Sequence, residues 1–135
     1  MAVYIDQNKR EWNIHIDIAA CKRVKKDLNF DILSVDDAGN ALTKLSTDFV
    51  LLADVLWSIA RPEAEKRHIS EEDFLKGLEG DAFEKAIEAF AKAYIDFFPH
   101  KRREVLAQAW KKINAIQEIA LERAKEQIEA ATLGN

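Results

Sequence analysis

The stretch that decides the fold is DAFEKAIEAFAKAYIDFF, residues 81–98. Its apolar residues recur every three or four positions, which is the spacing of one face of an α-helix. The residues on this face are Phe83, Ala86, Ile87, Phe90, Tyr94 and Phe97. Neighbouring residues on a helix point about 100° apart, so Phe97 and Phe98 cannot both face the same core. One of the two is therefore expected to contact another helix or a partner protein.

Capping signals predict where the neighbouring helices begin and end. Ser70, with Asp73 three residues later, predicts the start of a short helix. Gly80 suits the left-handed position that closes this helix. Asp81 and Glu84 repeat the capping pattern at the start of the amphipathic stretch.

The last helix is predicted over residues 100–131, because Pro99 favours a helix start at this point. Its predicted apolar stripe contains Leu106, Trp110, Ile113, Ala120, Ala124 and Ile128. Further apolar residues, Ile116, Ile119 and Leu121, extend beyond the length that a compact core of this size covers. Spare apolar surface on a helix favours binding to another chain, and packing along the chain's own bundle is the alternative.

Before residue 70, one long helix and several irregular segments are predicted. The helix begins with Ser46 as its N-cap and is broken or restarted at Pro62. Residues 36–40 are predicted to form a turn, and residues 41–45 are predicted to be irregular. Residues 30–35 could form a short third strand.

The N-terminal segment alternates apolar and polar residues with a period of two, which indicates half-buried strands. Residues 2–6 and 11–16 are predicted to form a β-hairpin. A lone hairpin is barely stable in water, so its apolar face must pack on the helices. That face carries Trp12, Ile14 and Ile16. Asp17 predicts the N-cap of a following helix that ends near Asn29.

The composition agrees with a folded, mainly helical domain. Of 135 residues, 48% are hydrophobic and 33% are charged, and only four Gly and two Pro are present. We predict a mainly α (α+β) single domain over residues 1–135, with an N-terminal β-hairpin packed on a bundle of about four to five helices and a long C-terminal helix. Residues 1–35 would hold the hairpin, a basic helix and the short strand, and residues 46–135 the helical part.

The sequence predicts a protein of a reducing cytoplasm. No stretch approaches the ~18 consecutive apolar residues that a membrane helix needs. Residues 1–17 contain charged side chains where a signal peptide would have its apolar core. The single Cys excludes an internal disulfide framework.

No catalytic residue, metal site or cofactor site is predicted. His15, His68 and His100 are isolated, and none has the spacing that places two metal ligands on one helix face. Cys21 lies on an apolar helix stripe without a nearby His, which favours a buried structural residue over a nucleophile. Glycine motifs that bind phosphate are absent from the sequence. We therefore expect a protein that is not an enzyme.

Charge is unevenly distributed along the chain, whose net charge is -4. Residues 70–98 hold eight acidic residues against three lysines, a net charge of -5, whereas residues 22–26 and 101–103 are basic runs. Internal complementarity and solvated faces explain this pattern, and a docking surface for an acidic or helical partner is the alternative. Nucleic-acid binding through residues 22–26 is not expected from two short basic runs on an acidic chain.

The predicted partner-binding surface joins the basic start of the last helix to its apolar continuation. It contains Phe98, Lys101, Arg102, Arg103, Trp110, Ile116 and Ile119. An amphipathic helix of this kind either binds a larger helical partner or self-associates.

Seven short stretches together resemble a known family. They are EWNIHIDIAA (11–20), KRV (22–24), FDIL (30–33), LADVLW (52–57), SEEDF (70–74), GDA (80–82) and DFFP (96–99). This succession, which covers most of residues 10–100, resembles tail assembly chaperones of long-tailed phages and prophages.

The resemblance implies a non-enzymatic protein of the infected bacterial cytoplasm that is absent from the finished virion. Such chaperones coat the long, helical tape measure protein and help to recruit tail tube subunits around it. Two alternatives stay open. One is a structural component that remains in the tail or its joining region, and the other is a small helical regulator that binds nucleic acid.

Overall fold

A β-hairpin precedes a run of helices that ends in a long one. A computed structural model of the chain describes residues 2–33 and 38–133, apart from the side chains of residues 38–40 and 133. These residues form β1 (Val3–Ile5), β2 (Glu11–Asn13), α1 (Ile18–Leu28), α2 (Ala38–Thr47), α3 (Phe49–Lys66), α4 (Glu71–Gly77), α5 (Asp81–Phe97) and α6 (His100–Leu133). The predicted fold class is confirmed, with six helices in the described residues.

The two strands pair antiparallel, with Tyr4 opposite Trp12. Both strands are shorter than the predicted residues 2–6 and 11–16. Trp12, Ile14 and Ile16 are buried as predicted. Trp12 makes an edge contact with Phe74 of α4, with ring centroids 5.0 Å apart, and the Arg67 guanidinium lies 4.3 Å from the Trp12 ring centre. The hairpin is therefore held on the helices through its tryptophan.

The Asp6 carboxylate organises the hairpin loop. Its Oδ1 accepts hydrogen bonds from the backbone N–H groups of Asn8 and Arg10, each at 2.9 Å. Its Oδ2 accepts from Trp12 Nε1 at 2.9 Å. A Cβ atom at Gly77 would lie 2.6 Å from the same Oδ2, so only glycine fits where α4 meets the loop. Asp6 is buried, and these three bonds satisfy it.

Helix α1 begins and ends where the sequence predicts. Asp17 is its N-cap, and its side chain accepts a hydrogen bond from Ala20 N at 2.7 Å. Asn29 closes the helix in the left-handed conformation, with φ of 52°. Both residue types are frequent at these positions because they satisfy backbone groups that the helix leaves unpaired.

The predicted third strand over residues 30–35 is wrong for its described part. Residues 30 and 31 have no regular secondary structure and residues 32 and 33 form a turn, while residues 34 and 35 lie outside the described residues. The Asp31 Oδ1 accepts from Leu33 N at 2.9 Å, and this local bond favours a turn over an extended strand. Ile32 is buried in this turn, and its carbonyl accepts a hydrogen bond from the Tyr94 hydroxyl.

Helix α2 was not predicted. Residues 41–45, expected to be irregular, lie inside it, and residues 38–40 of the predicted turn form its first turn; residues 36 and 37 lie outside the described part. The helical part therefore begins at Ala38 and not at residue 46. Ser46 caps nothing, since its hydroxyl donates to Thr43 O within α2, at 2.7 Å. Asp48 is the N-cap of α3 and accepts from Leu51 N at 3.1 Å.

Pro62 neither breaks nor restarts α3, contrary to the prediction. A proline lacks the N–H that would bond to the carbonyl four residues earlier, which here belongs to Ser58. Arg23 of α1 supplies a donor to this carbonyl and to the next one. Its Nε donates to Ser58 O at 3.1 Å and its Nη2 to Ile59 O at 3.2 Å. A tertiary contact therefore keeps the helix continuous through its proline.

The capping predictions around α4 and α5 are partly confirmed. Ser70 caps α4, accepting from Asp73 N at 3.1 Å. Leu78 and not Gly80 is the C-cap of α4. Gly80 has the positive φ of 69° that glycine favours, but it precedes α5 as an N-cap without a side-chain bond. The predicted capping box at Asp81 is therefore not formed.

Every element contributes to one buried cluster, but α6 contributes little. Phe74, Phe90 and Tyr94 are among its largest buried side chains. Leu106 is the one residue of α6, in its described part, that is fully buried. Most of the longest helix therefore lies outside the core.

Candidate protein-binding surface

Helix α6 leaves the body of the protein at Gln117. Its first half packs against α2 and α5, with Trp110 and Ile113 half-buried. Gln117 Nε2 donates to Ser46 O at the end of α2, at 3.2 Å. Every side chain from residue 118 to residue 132 is exposed. We call residues 118–133 the outer half of α6; at 1.5 Å per residue it is about 24 Å long.

The outer half and the turn before it carry large apolar side chains that the chain itself does not cover. The exposed fractions are 66% for Ile116, 52% for Ile119, 68% for Leu121 and 67% for Ile128. Exposed apolar residues at this density on one helix are typical of a surface that binds another protein.

These residues do not form one stripe. At about 100° per residue, Leu121 and Ile128 lie about 20° apart on the helix, on the side that carries Trp110. We call this side, with Ala124, the Leu121 face. Ile116 and Ile119 lie about 120–180° away from Leu121 and Ile128, nearly on the opposite side of the helix, which we call the Ile116 face. The prediction of one continuous stripe is therefore wrong, because residues 116–128 have two apolar faces.

Phe98 does not belong to the accessible surface. It is only 5% exposed and packs edge-on against Tyr94, with ring centroids 5.0 Å apart. Phe97 is half-buried and contacts Phe98 at 5.5 Å. Each of the two rings therefore contacts another aromatic ring of the protein itself. The predicted role of Phe98 in binding a partner is therefore withdrawn.

The other predicted binding residues fall into two groups. Lys101 is exposed at the start of α6, whereas Arg102, Arg103 and Trp110 are half-buried near the body. Ile116 and Ile119 lie about two turns beyond Trp110 and about four turns beyond Arg103. The structure therefore separates the basic residues from the apolar residues, and of the predicted binding residues only Ile119 lies in the outer half, with Ile116 in the turn before it.

The basic run at residues 22–26 is only partly available for binding. Arg23 is bonded to α3, and Lys25 Nζ lies 3.9 Å from an Asp31 carboxylate oxygen. Lys22 and Lys26 are exposed. A patch of two or three lysines is small, since a protein that binds DNA strongly contacts about six to ten phosphates.

Two exposed apolar residues were missed by sequence reasoning. Phe49 and Val50 begin α3, and they are 58% and 73% exposed. Because the helix starts at Asp48 and not at Ser46, both residues fall in its first turn. The bond between Gln117 and Ser46 places the exit of α6 close to this junction. Phe49 packs against Phe83 of α5, with ring centroids 4.8 Å apart, whereas Val50 is the more exposed of the two.

The described residues provide no assembled chemistry beside this surface. Among them, no group of three or more His, Cys, Asp or Glu side chains is placed to hold a metal ion. Burial raises the pKa of the Cys21 thiol to about 11, so the thiol stays protonated at neutral pH. No helix within residues 2–33 and 38–133 is both long enough and apolar enough to cross a bilayer.

Comparisons with known proteins give no indication of the function. No family model matches this chain, and neither does any curated protein or solved structure. The sequence resemblance and the two apolar faces of α6 are the features of this protein that point to a function.

Proposed function

We propose that this protein is a tail assembly chaperone of a long-tailed phage or prophage. It acts without catalysis in the bacterial cytoplasm, binds the tape measure protein and helps tail tube subunits to assemble around it. Two features support the proposal, namely the seven stretches that resemble this family and the uncovered apolar surface of α6. The uncovered apolar surface of α6 is the main support, because a protein that coats a long helical partner needs apolar helix surface that its own core does not use.

The energetics of the outer half suit a reversible helical contact. Full burial of one Leu or Ile side chain contributes about 1.5–3 kcal/mol. The two residues of either face, Leu121 with Ile128 or Ile116 with Ile119, could therefore contribute about 3–6 kcal/mol to the contact with one partner helix, before part of the gain is offset by lost freedom of motion. Four glutamates against Arg123 and Lys125 give residues 118–133 a net charge of -2, which keeps the uncovered helix soluble.

The angle between the two faces suggests how the partner binds. A helix with one apolar stripe packs against one neighbour, whereas two nearly opposite apolar faces can each contact a separate partner helix. A tape measure segment could occupy the Leu121 face while a second segment or a tail tube subunit occupies the Ile116 face. Binding of a long helical protein by several copies would then cover its apolar stripe.

Copurification with the tape measure protein of the same phage tests the proposal. The tagged chain, expressed together with that protein, should retain it on an affinity column. Ile116→Lys with Ile119→Lys should abolish retention while leaving the melting transition cooperative, since both side chains are exposed. Gln108→Lys with Gln127→Lys adds the same charge at exposed polar positions and should retain the partner.

Two outcomes would contradict the proposal. Equal retention by the isoleucine variant and the glutamine variant would show that the apolar surface does not bind the tape measure protein. Stoichiometric amounts of this chain in purified tails, measured by mass spectrometry, would favour the structural component over the chaperone.

A further inference from the structure

The glutamates of the outer half of α6 lie on one side of the helix. At about 100° per residue they fall about 60–140° from Leu121, within a sector of about 80°. We call these four residues the glutamate row: Glu118, Glu122, Glu126 and Glu129. The row runs along the helix between the Leu121 face and the Ile116 face. A helix that packs on the Leu121 face therefore has the row along one of its flanks.

The other flank of the Leu121 face carries no charge. Ala120, Gln127 and Ala131 lie there, about 80–120° from Leu121 on the side away from the row. Arg123 lies further round, between Ile116 and Ile119, and so belongs to the Ile116 face. The Leu121 face thus has one acidic edge and one neutral edge.

The charge of the row is not paired within the chain. Among residues 2–33 and 38–133, no carboxylate of the row forms a salt bridge. Glu118, Glu122 and Glu126 follow one another four positions apart, a spacing at which like charges destabilise a helix. All four side chains are exposed, and the last turn of α6 holds no basic residue to offset them. A cationic neighbour would therefore relieve a repulsion that the helix itself contains.

Two lysines lie on the same side of α6 and reduce this charge only in part. Lys125 lies about 40° from Leu121, beside the row, and Lys111 lies about two turns before Glu118. Neither lysine forms a salt bridge in the described part of the chain. Four glutamates and two lysines leave this side of the helix with a net charge of -2. The edge of the Leu121 face is therefore negative even with its lysines counted.

We propose that the helix bound on the Leu121 face carries lysine or arginine along the flank that lies against the glutamate row. The inference rests on the proposed function, because it takes α6 to bind a helix of a partner protein. Leu121 and Ile128 supply the apolar contact, and the row selects a basic helix and decides which of its flanks faces the outer half. The tape measure segment that binds here is therefore amphipathic and basic along one edge.

A second copy of this chain fits the Leu121 face less well. In an antiparallel pair of outer halves, equivalent flanks meet, so the two glutamate rows would face each other. A parallel pair would place both bodies on one side, since the Leu121 face continues the side of α6 on which Leu106 is buried. Like charges across an interface disfavour the first arrangement, and overlap of the bodies excludes the second.

Titration of the full chain with two synthetic helical peptides tests the proposal. Both peptides have three heptads with leucine at the a and d positions, and their flanking e and g positions are all lysine in one and all glutamate in the other. Fluorescence anisotropy of a dye on the peptide reports binding. We expect the lysine peptide to bind at least about tenfold more tightly than the glutamate peptide at low salt, and the difference to shrink in 1 M salt because charges are then screened.

Charge variants locate the contact on the row. Glu118→Lys with Glu122→Lys and Glu129→Lys should reverse the preference, so that the glutamate peptide binds more tightly. The matched control makes the same charge change at exposed glutamates of other helices and should keep the preference for lysine: Glu63→Lys, Glu65→Lys and Glu88→Lys.

Two further variants separate the local contact from general attraction between opposite charges. Lys125→Gln removes the cation beside the row and should tighten binding of the lysine peptide about two- to fivefold. Leu121→Gln with Ile128→Gln leaves every charge in place and should weaken the same binding at least about tenfold. The melting temperature of each variant checks the fold of the body.

Four results would overturn the proposal. They are no binding of the lysine peptide at millimolar concentration, equal affinity for the two peptides, the same preference in the row variant and its control, and a dimer in sedimentation that the Leu121 and Ile128 changes abolish. The last result would assign the face to a second copy. Equal affinity for both peptides, together with retention of the tape measure protein, would remove this inference and leave the proposed function standing. A lysine preference without retention of the tape measure protein would do the reverse.

Discussion

The N-terminal hairpin and the outer half of α6 both carry large apolar side chains, but the chain covers only those of the hairpin. Trp12, Ile14 and Ile16 are buried within five residues of one another, and the Asp6 bonds fix the loop beside them. Leu121 and Ile128 lie on the outer half of α6, where every side chain from residue 118 to residue 132 is exposed.

The contrast shows that similar apolar patterning can have two uses. The hairpin depends on tertiary packing, because three-residue strands have little stability of their own. The outer half is a continuation of a helix that the body has already nucleated, so it can form without being covered. Its apolar residues therefore remain available to a partner. Four measurements test this difference between the hairpin and the outer half of α6.

The largest effect is expected at the hairpin. Trp12→Ala removes a buried ring, its bond to Asp6 and its contacts with Phe74 and Arg67, and should lower the free energy of unfolding by about 3–5 kcal/mol. Urea denaturation followed by circular dichroism measures the change. Phe90→Ala, another buried ring, should cost a similar amount. A loss below about 1 kcal/mol would show that the hairpin does not contribute to the stability of the body.

A smaller loss is expected where α4 meets the hairpin loop. Gly77→Ala places a Cβ atom 2.6 Å from Asp6 Oδ2, and the three bonds to Asp6 prevent it from moving aside. We expect a loss of about 1–3 kcal/mol. In an Asp6→Ala background the same change should cost less, because the clash is gone. Equal costs in both backgrounds would contradict a direct contact.

The next effect tests the contact that keeps α3 continuous. Arg23→Ala leaves the carbonyls of Ser58 and Ile59 without their side-chain donors, and should destabilise by about 1–2 kcal/mol. Pro62→Ala restores an N–H that can bond to Ser58 O, so Arg23→Ala should cost less in that background. If the cost is the same with and without Pro62, the arginine stabilises the protein by some other contact.

The smallest effect is expected for the outer half itself. Removal of residues 118–135 should reduce the helical signal in circular dichroism but change the free energy of unfolding by no more than about 0.5 kcal/mol, since none of the described side chains removed is buried. A loss above about 2 kcal/mol would show that the outer half packs on the body, and it would remove the basis of the proposed partner surface.

Several elements could be predicted because their signals are local. Asp17, Asn29 and Ser70 act on backbone groups within four residues of themselves, so their roles follow from the sequence alone. The hairpin and the long last helix follow from periodicity in the same way. The exposed Ile116 and Ile119 were predicted because the apolar pattern extends beyond what one small core can cover.

The remaining features depend on contacts between residues distant in the chain. Pro62 is a helix breaker by every local rule, and only the guanidinium of Arg23, 39 positions earlier, allows the helix to continue. Phe98 faces the core because it packs on Tyr94, which its position beside Phe97 could not indicate.

A groove beside β1 also depends on distant residues, since it brings residues 2–5 together with Lys85 and Lys92 of α5. The helical class, the caps and the surplus of apolar helix surface follow from the amino-acid sequence alone, because periodicity and capping act within one or two turns. The tertiary structure decided which apolar residues are buried and which backbone groups are paired, because burial and hydrogen bonding depend on where other parts of the chain lie.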